Sequence, residues 1–171
     1  MAPGLHEVGY KPEFPLFYME RILMGIGNML AGDDGVGALL ARQAASKGAP
    51  GWLSIPCGTL PEAFAHRVRR ERPRLLVIVD AAEMGLPPGE VRLLPKRRLG
   101  SAAIGTHGMA LRLLVSELEK SAGSVRFIGI QPSRKGLGKC LSAPVRKAKN
   151  RLLELILTGD EAWLEGIEAL G

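Results

Sequence analysis

The chain has only two cysteines, Cys57 and Cys140, and neither has a partner near it in sequence. That argues against a disulfide-stapled scaffold and gives a reducing, cytoplasmic setting as the expectation. Aromatic residues make up 5% of the sequence and do not interleave with its basic clusters. A stacking platform for single-stranded nucleic acid is therefore missing, and no nucleic-acid partner is expected. No uninterrupted apolar run approaches the roughly 20 residues of a membrane-spanning helix, so no membrane partner is expected either. The first twenty residues, MAPGLHEVGYKPEFPLFYME, lack the charged start and apolar block of a secretory signal. They read as an irregular arm. Met19 precedes the first strand, and translation starting there would make the arm a gene-start artefact.

What is present is enough for one domain. At 171 residues and 46% apolar content, the chain is long enough to bury a sizeable core. The formal charge of +6 is unevenly spread. Arg67, Arg69, Arg70, Arg72 and Arg74 crowd one stretch, and Lys96, Arg97 and Arg98 another. From Gln131 to Arg151 there are seven basic residues and no acid. Such clusters are ordinarily solvated helix faces; the alternative is that they steer an acidic partner or nucleic acid.

Strand and helix patterns alternate along the chain. Ile22–Ile26 reads as a strand, and Val36–Ala45 as a helix with Val36, Leu39 and Leu40 on one face. Trp52–Ile55 is a short strand. Thr59 and Glu62 have the spacing of a capping box that opens a helix to about Glu71. Leu75–Val79 is five consecutive large aliphatics, the composition of a central parallel strand buried on both faces, and Asp80 closes it. An edge strand at Glu90–Leu94 follows Pro87-Pro88-Gly89. Thr106 is placed to cap a helix carrying Leu111, Leu114 and Leu118; Val125–Ile130 is a further strand, and Val145, Ala148, Leu152 and Leu155 mark a last long helix. This order predicts a single-domain α/β three-layer sandwich with a mostly parallel sheet between helices. The expected organisation is an arm over 1–20, the α/β domain over 21–158, and a tail or short helix over 159–171.

The most informative segment is Ile22 to Gly37, ILMGIGNMLAGDDGVG. An apolar run ends in a glycine-rich turn that delivers Asp33 and Asp34 to the start of a helix. A helix N-terminus behind glycines suits phosphate, but two carboxylates at that place repel it. The spacing agrees: a dinucleotide fingerprint starting at Gly27 lacks its middle glycine at Met29, and a Walker loop starting there has Asp33 where lysine is needed. In a parallel sheet the binding crevice lies outside the carboxyl ends of the strands. Asp34, Asp80 and His107 each fall there independently. Two carboxylates and an imidazole suit Zn, Ni, Fe or Mn with coordination positions left open, or general acid–base work without a metal.

Duller readings apply to each residue. Asp33 and Asp34 could cap the helix against its dipole, with Asp33 the one that shapes the helix start. Asp80 could hold loop amides, and His107 could be a packing residue. His66, among arginines, reads as exposed surface. Cys57 and Cys140 read as ordinary thiols, with a nucleophile paired to His107 as the alternative.

These same segments resemble the hydrogenase maturation endopeptidases. GIGNMLAGDDGVG (Gly25–Gly37), VDAAEMGLPPGEVRLL (Val79–Leu94), THGMALRLL (Thr106–Leu114) and GIQP (Gly129–Pro132) match the family's blocks in order, over nearly all of residues 21–157. With CGTLPE (Cys57–Glu62), the chain looks most like the branch that processes the large subunit of formate hydrogenlyase. The resemblance implies a metal-assisted, carboxylate-dependent, aspartyl-type endopeptidase. Its implied partner is the precursor of a nickel–iron hydrogenase large subunit, cut near the C-terminus after nickel insertion. By position, Asp34, Asp80 and His107 carry the implied catalytic and metal-contacting roles. The implied nickel is carried by the substrate, no organic cofactor is implied, and a monomer is expected. A non-catalytic chaperone or nickel-loading sensor for the same precursor is the alternative, and a hydrolase of unrelated peptides is a third reading. The segment after GIQP is more basic than the family pattern, which suggests that Arg134, Lys135 and Lys139 guide an acidic precursor tail.

Overall fold

The computed structural model describes residues 20–99, 108–133 and 136–171. Five strands, β1 (Arg21–Ile26), β2 (Trp52–Gly58), β3 (Leu75–Ala81), β4 (Val91–Leu93) and β5 (Ser124–Ile130), form one sheet in the order β2-β1-β3-β5-β4. β2, β1, β3 and β5 run parallel, and β4 joins β5 antiparallel. The helices are α1 (Val36–Ser46), α2 (Ala65–Glu71), α3 (Gly108–Leu118) and α4 (Ala143–Leu157). This is the expected three-layer sandwich with its mostly parallel sheet.

Strand alternation divides the core in two. Leu23, Val77, Val79 and Ala81 face α1 and α4, where they pack with Val36, Leu40, Val145 and Leu152. Ile22, Met24, Ile26, Leu76 and Ile78 face α2 and α3 and meet Val68, Leu111 and Leu118. Every residue of Leu75–Val79 is buried, as a strand covered on both faces requires. On the first face, Lys149 of α4 is buried and donates to Gln43 of α1.

The chain leaves β1 toward β2 and then crosses back to place β3 on the other side of β1. The topological switch point therefore lies between β1 and β3, where an open parallel sheet leaves a crevice at its carboxyl edge.

Two local expectations change. The Thr59–Glu62 capping box does not form: the chain enters a 3₁₀ turn at Pro61–Phe64 from Leu60, with no side-chain cap, before α2 begins at Ala65. Asp80 does not close β3 but sits inside it, because Ala81 continues the ladder opposite Ile130. After α4, the 3₁₀ turn Ala162–Gly166 buries Leu164 in the core, and the following residues cover the outer edge of β4. There Leu93 N donates to Glu168 O at 2.9 Å and Leu170 N to Leu93 O at 2.8 Å. Arg21 fastens the same segment through Glu161 at 2.7 Å, while its guanidinium lies 5.5 Å from the centre of the Trp52 ring.

Candidate active site at the carboxyl edge of the sheet

The glycines of the Gly25–Gly37 motif serve close packing. A Cβ on Gly25 would lie 2.0 Å from Gly37 O, and one on Gly37 would lie 2.1 Å from Val79 O. The first turn of α1 thus rests directly on the backbones of β1 and β3. Gly27 adopts a φ of +122°, where an added Cβ would lie 1.7 Å from Asp34 O. The turn it opens is closed by Asn28, whose Oδ1 accepts from Leu30 N at 3.0 Å. This local bond leaves Asn28 N to donate to Asp34 Oδ2 at 3.1 Å.

The two acids of the pair do different things. Asp33 is fully buried and accepts from Ser142 N at 2.6 Å, Ser142 Oγ at 2.8 Å and Ser133 N at 2.8 Å. It ties the β1 loop to the segment after β5 and to the start of α4. Neither aspartate caps a helix: the 3₁₀ turn Asp33–Gly35 starts from Gly32 and α1 from Gly35, both without a side-chain cap. The expectation that Asp33 shapes its own helix start is thereby corrected, because its oxygens are taken by amides and a hydroxyl distant in sequence.

Asp34 is half-buried and held by the Asn28 amide. Among the described residues its Oδ1 receives no hydrogen bond. Asp80 is also half-buried, and its Oδ1 accepts from Ala81 N at 2.8 Å. Gly25 pairs with Val79, so Asp80 lies level with Ile26 at the carboxyl end of the neighbouring strand. Asp34 sits on the 3₁₀ turn Asp33–Gly35, which packs against β3, and Asp80 on β3 itself, so both lie at the switch point. By alternation Asp80 belongs to the face that α2 and α3 cover. His107, the residue before α3, lies outside the described residues, as does Thr106.

Gln131 organises the loop that follows Asp80, a role the sequence reading did not assign. It is buried directly after β5, and its Oε1 accepts from Met84 N at 2.7 Å and Leu86 N at 3.3 Å. Its Nε2 donates to Glu83 Oε2 at 2.9 Å. The signal was present in the GIQP block, where an amide side chain stands just past a strand end. Glu83 adds an exposed carboxylate three positions after Asp80.

Comparison with known proteins is decisive for the family. A family model described as hydrogenase maturation protease matches residues 36–159. The hydrogenase 3 maturation protease of Escherichia coli strain K12 is 36% identical over 146 residues, covering 85% of this chain and 91% of that one. This chain belongs to the hydrogenase maturation protease family.

Solved structures agree. A crystal structure of a hydrogenase 3 maturation protease is 33% identical, with a TM-score of 0.78 over 88% of this chain and 96% of that chain. The [NiFe] hydrogenase maturation protease HycI from Thermococcus kodakarensis KOD1 is 34% identical, with a TM-score of 0.72 over 82% and 91%. The resemblance carried by the sequence blocks is thus borne out, as are the fold and the hydrolase class.

In this maturation protease the two thiols and His66 join no metal-binding group with the acids among the described residues. Cys57 is buried, its Sγ bonds to Ile55 O, and burial pushes its thiol up to about 12, so it is not a nucleophile near neutral pH. His66 is exposed and its Nδ1 lies 2.9 Å from Ala63 O. Among the described residues, no three His, Cys, Asp or Glu side chains gather as a metal centre; the predicted set needs His107. No described helix is long and apolar enough to cross a membrane.

Proposed function

We propose that this chain is an endopeptidase that removes a C-terminal extension from the precursor of a nickel–iron hydrogenase large subunit after nickel insertion. The observation that carries the reading is the convergence of Asp34 and Asp80 on the switch point of a hydrogenase maturation protease fold. In this reading Asp34, Asp80 and His107 reach the nickel that the precursor carries, and the scissile bond is placed beside it. Nickel is part of the substrate. It polarises the carbonyl or activates the attacking water, with an aspartate as proton acceptor. The chain works as a monomer in the cytoplasm and needs no organic cofactor.

The geometry supports this division of labour. Asp34 is oriented by one backbone amide and, among the described residues, keeps an oxygen without a protein donor, which suits a group meant to meet a ligand from outside. Hydrogen bonding of Asp80 to its neighbouring amide fixes the second carboxylate on a rigid strand instead of a loop.

The test is cleavage of a nickel-loaded and a nickel-free large-subunit precursor by the native chain and by Asp34→Asn. One C-terminal cut that requires both nickel and Asp34 supports the reading. Nickel-dependent binding with no cut turns the protein into a loading sensor. Cleavage of generic peptides without nickel makes it an unrelated hydrolase.

A further inference from the structure

A groove of about 760 Å³ lies between β4, α4 and the segment after α4. Val91, Leu152, Leu155, Trp163 and Ile167 supply apolar lining. Lys147 and Arg151, one turn apart on α4, line it and are exposed, and neither has an acidic partner among the described residues. Like charges at this spacing repel each other on a helix. The groove's own acids do not answer them: Glu90 and Glu168 both bond to Arg92, at 2.8 and 3.4 Å. Elsewhere on the surface, Arg69 pairs with Glu117 and Arg70 with Glu71.

One end of this groove adjoins the candidate active site. Gly89 and Pro144 both line it and are in close contact, a Cβ on Gly89 falling 2.8 Å from Pro144 O. Gly89 N donates to Gln131 O at 2.8 Å, and the Gln131 side chain holds the loop that follows Asp80. Pro144 follows Ser142, the partner of Asp33, by two residues.

We propose that this groove docks an acidic segment of the precursor, with apolar side chains seated on the lining and carboxylates on Lys147 and Arg151. The inference rests on the processing reading above and adds where the substrate is held outside the cut. Charge complementarity selects the occupant: an unanswered cation pair over an apolar floor fits an acidic, partly apolar peptide.

The experiment measures steady-state cleavage of the nickel-loaded precursor by the native chain, by Lys147→Glu/Arg151→Glu, and by Lys147→Arg/Arg151→Lys. Charge reversal should raise KM about tenfold with kcat unchanged, and the difference should shrink as salt is added. The charge-conserving variant should keep the native KM. Equal KM values for the reversed and native chains, with cleavage intact, would overturn the groove and leave the processing role standing. A native chain that neither binds nor cuts the precursor would overturn both. If reversal changes the sedimentation of the free protein and not KM, the groove's occupant is a second copy and the proposal fails. If deletion of residues 1–19 abolishes the KM difference, the arm is the occupant and the proposal fails likewise.

Discussion

Asp33 Oδ1 accepts a 2.6 Å hydrogen bond from the backbone amide of Ser142, 109 positions away in the chain. This bond joins the loop carrying Asp34 to Ser142, the residue that precedes α4. It divides an acidic pair that looks uniform in sequence into a buried anchor and a half-buried carboxylate.

Asp33→Asn should therefore cost stability. An amide group brings N–H donors to a place already filled by the Ser142 and Ser133 amides, and one of those donors loses its acceptor. The expected loss is about 1.5–3 kcal/mol in urea unfolding, the range for hydrogen bonds to a buried charge. Asp34→Asn should stay within about 0.5 kcal/mol of the native chain, since the side chain is half-exposed. Cleavage should behave in the opposite way and vanish with Asp34→Asn. If both variants lost stability equally, the division between buried anchor and half-exposed carboxylate would be wrong.

Much of this was legible because the local signals agreed. The aliphatic run Leu75–Val79 had to be a doubly buried strand, and the carboxyl edge of a parallel sheet had to hold Asp34 and Asp80. What could not be read depended on partners distant in sequence. Asp33 follows a glycine ahead of a helix, which is how a cap looks, and nothing local reveals Ser142. Thr59 and Glu62 had capping spacing, but the chain turns at Leu60 and starts in a 3₁₀ turn instead. Asp80 follows five aliphatics, which is how a strand end looks; its place inside the strand follows from register with β5, where Gly129 stands opposite.

Gln131→Leu should loosen the loop beside Asp80 without unfolding the sheet. The substitution leaves Met84 N–H and Leu86 N–H without the oxygen that now accepts both. Amide hydrogen exchange at these two positions should accelerate at least about tenfold, while exchange within β3 stays slow, because local and global openings are separate events. The rate of precursor cleavage should fall with little change in KM. Unchanged exchange at Met84 would remove Gln131 from the role of loop organiser.

The two thiols should separate cleanly under a disulfide-exchange reagent at pH 8. Cys140 is exposed and should be labelled at once. Cys57 is buried, and with its thiol pushed up to about 12 it has almost no thiolate at that pH. One equivalent should therefore react quickly in the native state and two after denaturation. Cleavage should survive labelling of Cys140, as the proposed carboxylate mechanism requires.

Acid should release the C-terminal segment before it melts the sheet. Hydrogen bonds from Arg21 first and Arg74 second hold the Glu161 carboxyl below its ordinary value. A carboxylate depressed in the folded state stabilises that state above its unfolded pKa and loses the contribution as pH falls through the folded one. The window accordingly opens near the ordinary glutamate value and extends to lower pH. Trp163 lies 6.4 Å from Trp52 and sits on the segment that Glu161 anchors, so tryptophan emission reports the release. On acidification the emission should shift while far-ultraviolet dichroism is still native. Glu161→Gln should shift it already at neutral pH and flatten its pH dependence. Coincident loss of both signals in the native chain would mean that the segment and the sheet unfold together, and that Glu161 anchors no separate unit.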